Sequence, residues 1–443
     1  MHPIDPNHGV RSGVRSGIEH TPTYPVSTAS DMLSRCPPDA NIAMLVGLVP
    51  QLPGASAMCR ITTTTLISGM DPSPVDTLQT LVDAEHKPSF ASGWIFMLGY
   101  ELGRSIEPKA IAVDSSPSTP PIVALRWEGA WLADGGEPQW VGPRERRFEL
   151  REQSGGLPPF ALGEPVSSMG RGGYIRAVER VLEYIRAGDI YQANIAHHIR
   201  VPFEGSTRGA ASALFSAADP AFGAAFSFEH AGQQHQVVSV SPELFLSFDP
   251  ATRILSTRPM KGTRPGTADP AELMHASKDR AELNMIIDLM RNDLGRVCNL
   301  GSVRVTRPRT IEHHGSGVLQ ATASVEGVVR DPCALQDILR ACFPPGSVTG
   351  APKIRAMQII DELEGAPRGP YCGSVLVLND SGSFVSSVGI RTAHIAGDTL
   401  SYATGAGIVA DSVPAQEWDE TMIKAAILER ALGVDLGRLR NDP

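Results

Sequence analysis

The chain has 443 residues, 42% of them hydrophobic, and a net charge of −9, enough for two domains or one large composite domain with a sizeable core. The acidic balance argues against a general nucleic-acid binder, which needs a basic face, but leaves room for local Arg and Lys around a small anion. Six cysteines (Cys36, Cys59, Cys298, Cys333, Cys342, Cys372) lack C-x-x-C spacing, no apolar run reaches the roughly 18 residues of a membrane span, and no signal-peptide core opens the chain, so a cytoplasmic enzyme without disulfide or zinc framework is expected.

Residues 1–22, where Val10-Arg-Ser-Gly repeats from Val14, read as a flexible tail. Residues 23–160 form an N-terminal subdomain of short apolar strands, clearest at Ile42–Val49, Gly93–Tyr100 and Ile122–Trp127. Ser115–Pro121 is a loop by composition, and so is Ser154–Pro159, which joins the subdomain to a catalytic region over 165–435. There the spacing predicts a helix from Tyr174 closing on Gly188, then strands at Gln236–Ser241 and Glu243–Phe248. A helix over 278–297, strands at 302–306 and 318–327 and a helix over 351–364 follow. A strand hairpin from Cys372 to Ala393, a Gly-rich stretch at 405–407 and a helix over 415–432 complete the pattern. Strands and helices cluster instead of alternating, which predicts an α+β fold with large antiparallel sheets.

On the 278–297 helix, Glu282 shares a stripe with Ile286 and Leu289, and Asp279 lies one turn back. A carboxylate on an apolar stripe needs a cation or metal; otherwise these acids are a solvated first turn suited to the helix dipole. The last helix places Glu417, Glu420 and Lys424 on one face, although Glu420 and Lys424 could be an ordinary surface pair worth about 0.2–0.5 kcal/mol. Two helices each with an acid-x-x-Glu step offer four carboxylates, the hard oxygen ligands that suit Mg²⁺.

Phe343–Lys353 is a Pro/Gly loop entering a helix, without the glycine spacing of a Walker nucleotide site. It suits an anion or carboxylate, or is a structural turn. Ala403–Ser412 could bring backbone close to a carboxylate at Gly405–Gly407, or mark a bulged strand end. Arg391 among strand residues faces solvent or captures a carboxylate bidentately. Lys261 sits in a Pro- and Gly-flanked turn; it is a solvated charge, or a partly buried amine able to act as a nucleophile.

Ser241-Pro-Glu243, Lys261-Gly-Thr263, the 278–297 helix, Gly346–Lys353, Gly405–Gly407 and Glu417–Lys424 occur in the order and spacing of the chorismate-utilising enzymes. Leu98–Pro108 extends the match into the N-terminal half. The chain thus resembles a family that includes anthranilate synthase component I, aminodeoxychorismate synthase component I, isochorismate synthase and salicylate synthase. The resemblance implies a composite α/β sandwich on large antiparallel sheets, with Mg²⁺ and chorismate between them. It implies Glu282 and Glu420 as direct Mg²⁺ ligands, with Asp279 and Glu417 close behind. Arg391 and the backbone of Gly405, Ala406 and Gly407 would hold the substrate's carboxylates, helped by Lys424, Thr349 and Tyr371. Glu243 would be the general acid for the departing C4 hydroxyl.

Within the family, three positions point to the aminodeoxychorismate-forming members. Lys261 stands where anthranilate and isochorismate enzymes usually have alanine, and its amine would attack C2. Gln192 stands where water-using members carry a lysine base, which favours ammonia. Gln320 stands where anthranilate synthases have a histidine tied to pyruvate elimination. No glutaminase triad is visible, so ammonia would come from a separate glutamine amidotransferase subunit or from solution, and a separate lyase would complete p-aminobenzoate for folate. The alternatives are anthranilate synthase component I and a non-catalytic chorismate- or tryptophan-sensing homologue.

Overall fold

Runs such as Ile42-Ala-Met-Leu-Val46 and Ser374-Val-Leu-Val-Leu-Asn379 are apolar on both faces, so their strands need cover on each side. The structure, a computed structural model, describes residues 18–20, 27–68, 71–84, 89, 91–110, 119–134, 136–151, 156–314 and 318–440. Most of the expected tail and parts of both predicted loops lie outside the described residues, while Ile18–His20 pairs in parallel with Ile311–His313.

The principal strands are β1 (Ile42–Val46), β2 (Ser56–Ile67), β3 (Ser92–Leu98) and β4 (Ile122–Ala133). They continue as β5 (Gln192–Gly205), β6 (Phe222–His230), β7 (Gln233–Ser241), β8 (Leu244–Asp249), β9 (Ile254–Arg258) and β10 (Met260–Pro265). The rest are β11 (Arg304–His314), β12 (Val318–Val328), β13 (Ser374–Asn379), β14 (Phe384–Val388), β15 (Thr392–Ala396) and β16 (Thr399–Ile408). The principal helices are α1 (Ser27–Arg35), α2 (Pro74–Ala84), α3 (Gly170–Ala187), α4 (Thr207–Ala218), α5 (Ser277–Gly295), α6 (Leu335–Cys342), α7 (Lys353–Glu364) and α8 (Pro414–Leu432).

Antiparallel pairing runs unbroken as β11–β12–β9–β8–β14–β13–β3–β4–β2–β1–β6–β7–β15–β16–β5. The N-terminal strands therefore form the bridge between two blocks of later strands. Ser374 pairs with Leu98 at one junction and Gly223 with Val46 at the other. One apolar cluster, with Leu45, Ile95, Leu125, Phe226, Val237 and Val377, fills the space between facing strands. A second packs α3, α4, α7 and α8 against β5 and β16 through Tyr174, Leu214, Ile359 and Trp418. A third packs α5 and α6 against β8, β9 and β12 through Ile286, Leu339, Phe245, Leu255 and Ala321. This is the α+β sandwich on a large antiparallel sheet that the sequence implied.

Several local expectations change. Lys261 lies not in a turn but in β10, opposite Ala321 of β12, with a register shift between Lys261 and Thr263 and Gly262 at φ 75°. Gly405–Gly407 lies inside β16, paired along β5 from Ala196 to Asn194. Arg391 is outside the strands, at φ 51° just before β15. The 351–364 helix begins at Lys353, because Ala351 is extended and pairs with Gln192 and Pro352 caps the helix. Gly188 closes α3 in the left-handed conformation, φ 82°, as its position predicted. Among the described residues, no helix is long and apolar enough to cross a membrane.

Candidate active site

Strand alternation decides which part of Gly405-Ala-Gly407 can meet a substrate. Ala406 turns its methyl into the helix-side core, leaving only its backbone for any role in binding. Gly405 and Gly407 face the other way. A Cβ at Gly407 would come within 3.2 Å of both the Lys261 Nζ and the Gln192 Nε2, and one at Gly405 within 2.9 Å of the Tyr371 hydroxyl. The glycines therefore let Lys261, Gln192 and Tyr371 close over the β16 backbone. Gln192 is fully buried, and neither its Oε1 nor its Nε2 has a hydrogen-bond partner among the described residues. An unpaired buried amide is costly unless a ligand completes its bonding.

Glu243 is buried beside this group. Its backbone N–H donates to the Ser241 hydroxyl, 3.2 Å, which fixes the Ser-Pro-Glu turn. Burial pushes its carboxyl up to about 7, against the opposing pull of a Ser347 hydrogen bond and the charges of Lys261 and Lys424. A carboxyl in that range can hold a proton near neutral pH and give it up. Ser347 was not singled out from the sequence, although it lies inside the loop that was.

Burial likewise raises Glu282 and Glu417, and repulsion from Glu420 adds to both; Asp279 further raises Glu282, and Lys261 lowers it. Glu420 is lowered, first by Lys424. The Lys424 Nζ lies 2.7 Å from the Glu420 carboxylate and donates to the Gly405 carbonyl at 2.8 Å, tying α8 to β16. Solvent still reaches Glu420, whose side chain is 51% exposed. Asp279 is ion-paired to Arg264 at 2.8 Å and lies against Gly262.

Among the described residues no three of His, Cys, Asp and Glu converge closely enough to enclose a metal. The four acids thus do not make a cage. Glu282 and Glu420, each shifted by the other's surroundings and both within reach of Lys261's charge, do match a Mg²⁺ that needs one or two carboxylates and takes its other oxygens from substrate and water.

Thr349 is fully buried, with its hydroxyl near the carbonyls of Pro345 and Gly346, and its own carbonyl accepts from Asn194 N at 2.8 Å. Tyr371 is buried, its hydroxyl held well above the usual range by burial while a hydrogen bond with Asn194 opposes the shift. Gln320 lies beside Lys261's strand, donating to the Thr263 hydroxyl at 3.3 Å with its Oε1 unpaired among the described residues. Burial lowers Arg391, with Tyr402 opposing and Arg430 adding to the shift, and neither of these neighbours is in the Lys261 group. The Phe343–Lys353 loop is in part a structural turn: Lys353 bonds Asp293 of α5 at 2.6 Å and the Cys342 carbonyl at 2.9 Å.

A lysine amine, a carboxyl that can hold a proton near neutral pH, a buried amide and acidic side chains thus gather over the glycines of β16. The fold has solved counterparts. The anthranilate synthase component I of Streptococcus pneumoniae TIGR4 superposes with a TM-score of 0.73 at 23% identity, over 94% of this chain and 99% of that one. A family profile described as chorismate binding enzyme matches residues 54–430, so the chain belongs to the chorismate-binding enzyme family. An anthranilate synthase component 1 of Haloarcula marismortui is 34% identical over 79% of this chain and 77% of its own length. The aminodeoxychorismate synthase component 1 of Escherichia coli K12 is 33% identical over 79% and 81%. Similarity alone therefore does not choose between the two activities.

Proposed function

We propose that the chain is the aminating component of an aminodeoxychorismate synthase, converting chorismate and ammonia to 4-amino-4-deoxychorismate and water. The observation that carries this reading is Lys261 Nζ and the unpaired Gln192 amide meeting over Gly407, beside a Glu243 that can be protonated near neutrality. The Lys261 amine attacks C2, the two conjugated ring double bonds shift, and the C4 hydroxyl leaves as water with the Glu243 proton. The Glu243 carboxylate takes the proton from the new C2–N bond. Ammonia then attacks C4, both double bonds shift back, and Lys261 departs from C2 as a free amine, the proton returning through Glu243. Gln192, an amide, cannot deprotonate water, which leaves ammonia as the nucleophile.

Glu282 and Glu420 would hold Mg²⁺, with Asp279 and Glu417 behind them; that ion supplies stabilisation of the charge on the ring carboxylate as the hydroxyl leaves. Lys424, Tyr371, Thr349, Arg391 and the Gly405–Gly407 backbone orient the carboxylates. A glutamine amidotransferase subunit would supply ammonia in the cytoplasm, and a separate lyase would carry the product to p-aminobenzoate for folate.

Formation of anthranilate is the second reading, favoured by a relative of that name at 34% identity, against 33% for the aminodeoxychorismate synthase component 1 of Escherichia coli. Mass spectrometry of the product from chorismate, Mg²⁺ and ammonium separates them. An unaromatised amino product that keeps its enolpyruvyl group is expected; anthranilate would overturn the first reading.

A further inference from the structure

Behind the cleft, the turn between α7 and β13 carries an arginine that none of the site motifs includes. Arg368 is 3% exposed. Its Nη2 donates to the Asn194 carbonyl at 2.6 Å, and its Nη1 to the Val348 carbonyl at 3.2 Å. Its Nε and Nη2 engage both oxygens of Glu364 at 2.8 and 2.5 Å. Glu364 in turn accepts the backbone N–H of Ala196 at 2.8 Å. The guanidinium also lies over the ring of Tyr100 at 4.7 Å and near that of Tyr371 at 5.8 Å.

These contacts reach the segments that carry Gln192, Thr349 and Tyr371. Asn194 is two residues from Gln192, Val348 precedes Thr349, and Tyr371 is three residues on from Arg368. The N-terminal half grips the same turn: Glu101 accepts the backbone N–H groups of Arg368 at 2.6 Å and Gly369 at 3.1 Å, and the Gly369 carbonyl accepts from Tyr100 N at 2.8 Å. A buried guanidinium is tolerated only when its donors are paired; four of the five N–H groups of Arg368 find acceptors in these bonds, and its planar fork fixes their mutual angles as a lysine ammonium could not.

We propose that Arg368, seated by Glu101, is a positioning residue that sets the placement of Gln192, Thr349 and Tyr371 relative to one another for chorismate binding. The inference rests on those three residues facing the substrate, as proposed above, and not on which product forms. Displacing such groups by even an ångström weakens every contact they share, and groups that hold ground state and transition state alike act on KM more than on kcat.

The test is steady-state kinetics, calorimetric chorismate binding and thermal unfolding of Arg368→Lys and Glu101→Gln beside the parent chain with Mg²⁺ and ammonium. Arg368→Lys should raise KM and Kd for chorismate by about tenfold while kcat stays within about threefold. Glu101→Gln, which keeps every Arg368 side-chain bond, should shift both constants the same way by about threefold. A lower Tm with KM and Kd unchanged in the variants would reduce Arg368 to a structural role and overturn the proposal. If Arg368→Lys does not fold, Glu101→Gln decides by the same two constants. Anthranilate as product would defeat the assigned reaction yet leave this comparison intact, because either reaction begins with bound chorismate.

Discussion

Glu243 and Lys261 show how far single residues depend on what surrounds them. Glu243 owes its raised pKa first to burial, which disfavours the charged form. As the acid for the departing hydroxyl it must be protonated, so kcat should fall as pH rises through about 7. Replacement Glu243→Gln keeps the shape and removes the proton, with an expected loss of about 10²–10⁴ in kcat; a flat pH profile in the parent enzyme would deny it the role. For Lys261, the expectation is that Lys261→Ala abolishes the amino product and that a mass increase trapped on the parent chain is lost in the variant. Both residues stood out in the sequence, Glu243 only through family resemblance. Ser347, which bonds Glu243, and Arg368, which bonds the Asn194 and Val348 carbonyls, did not, since neither lies at a spacing that implies contact with the site.

At the scale of elements, β16 and α8 make the floor and one wall of the cleft. The periodicity of α8 was legible, as was the one-face arrangement of Glu417, Glu420 and Lys424, because a helix repeats every 3.6 residues. Its seating was not: Trp418 stacks on His197 at 4.7 Å, and the His197 ring bonds Ser167 and Thr421 at 3.0 and 3.1 Å. Trp418→Ala should cost about 3–5 kcal/mol of stability, read from denaturant unfolding. In β16, Gly407→Ala places a methyl 3.2 Å from the ends of Lys261 and Gln192. Those flexible ends can give, so the variant is expected to fold with an unchanged Tm and lose about tenfold or more in kcat/KM. Wild-type kinetics from that variant would mean that the close approach has no catalytic consequence. On the facing wall, Glu282→Gln should raise the Mg²⁺ concentration for half-maximal rate, and an unchanged Mg²⁺ titration would remove Glu282 from the ion's ligands.

Across the whole molecule, the N-terminal strands stand in the middle of the sheet. Residues 165–443 alone would expose β13 where Leu98 pairs with Ser374 and β6 where Val46 pairs with Gly223. Such long open edges invite aggregation. The fragment is therefore expected to lack a cooperative thermal transition, and a sharp melt with a native-like far-UV spectrum would contradict that.

The sequence by itself determined the α+β class, most helices, the acid-bearing faces of α5 and α8 and the family, because periodicity and motif order are local properties of the chain. Tertiary structure alone decided that Lys261 is a strand residue beside Gln192, that Asp279 is held by Arg264, and that Ala406 turns its methyl away. It also decided that the two halves share one sheet. Those facts depend on contacts and strand pairing between separate segments of the chain, and pairing partners are chosen by the packing of the whole sandwich, which no local window contains.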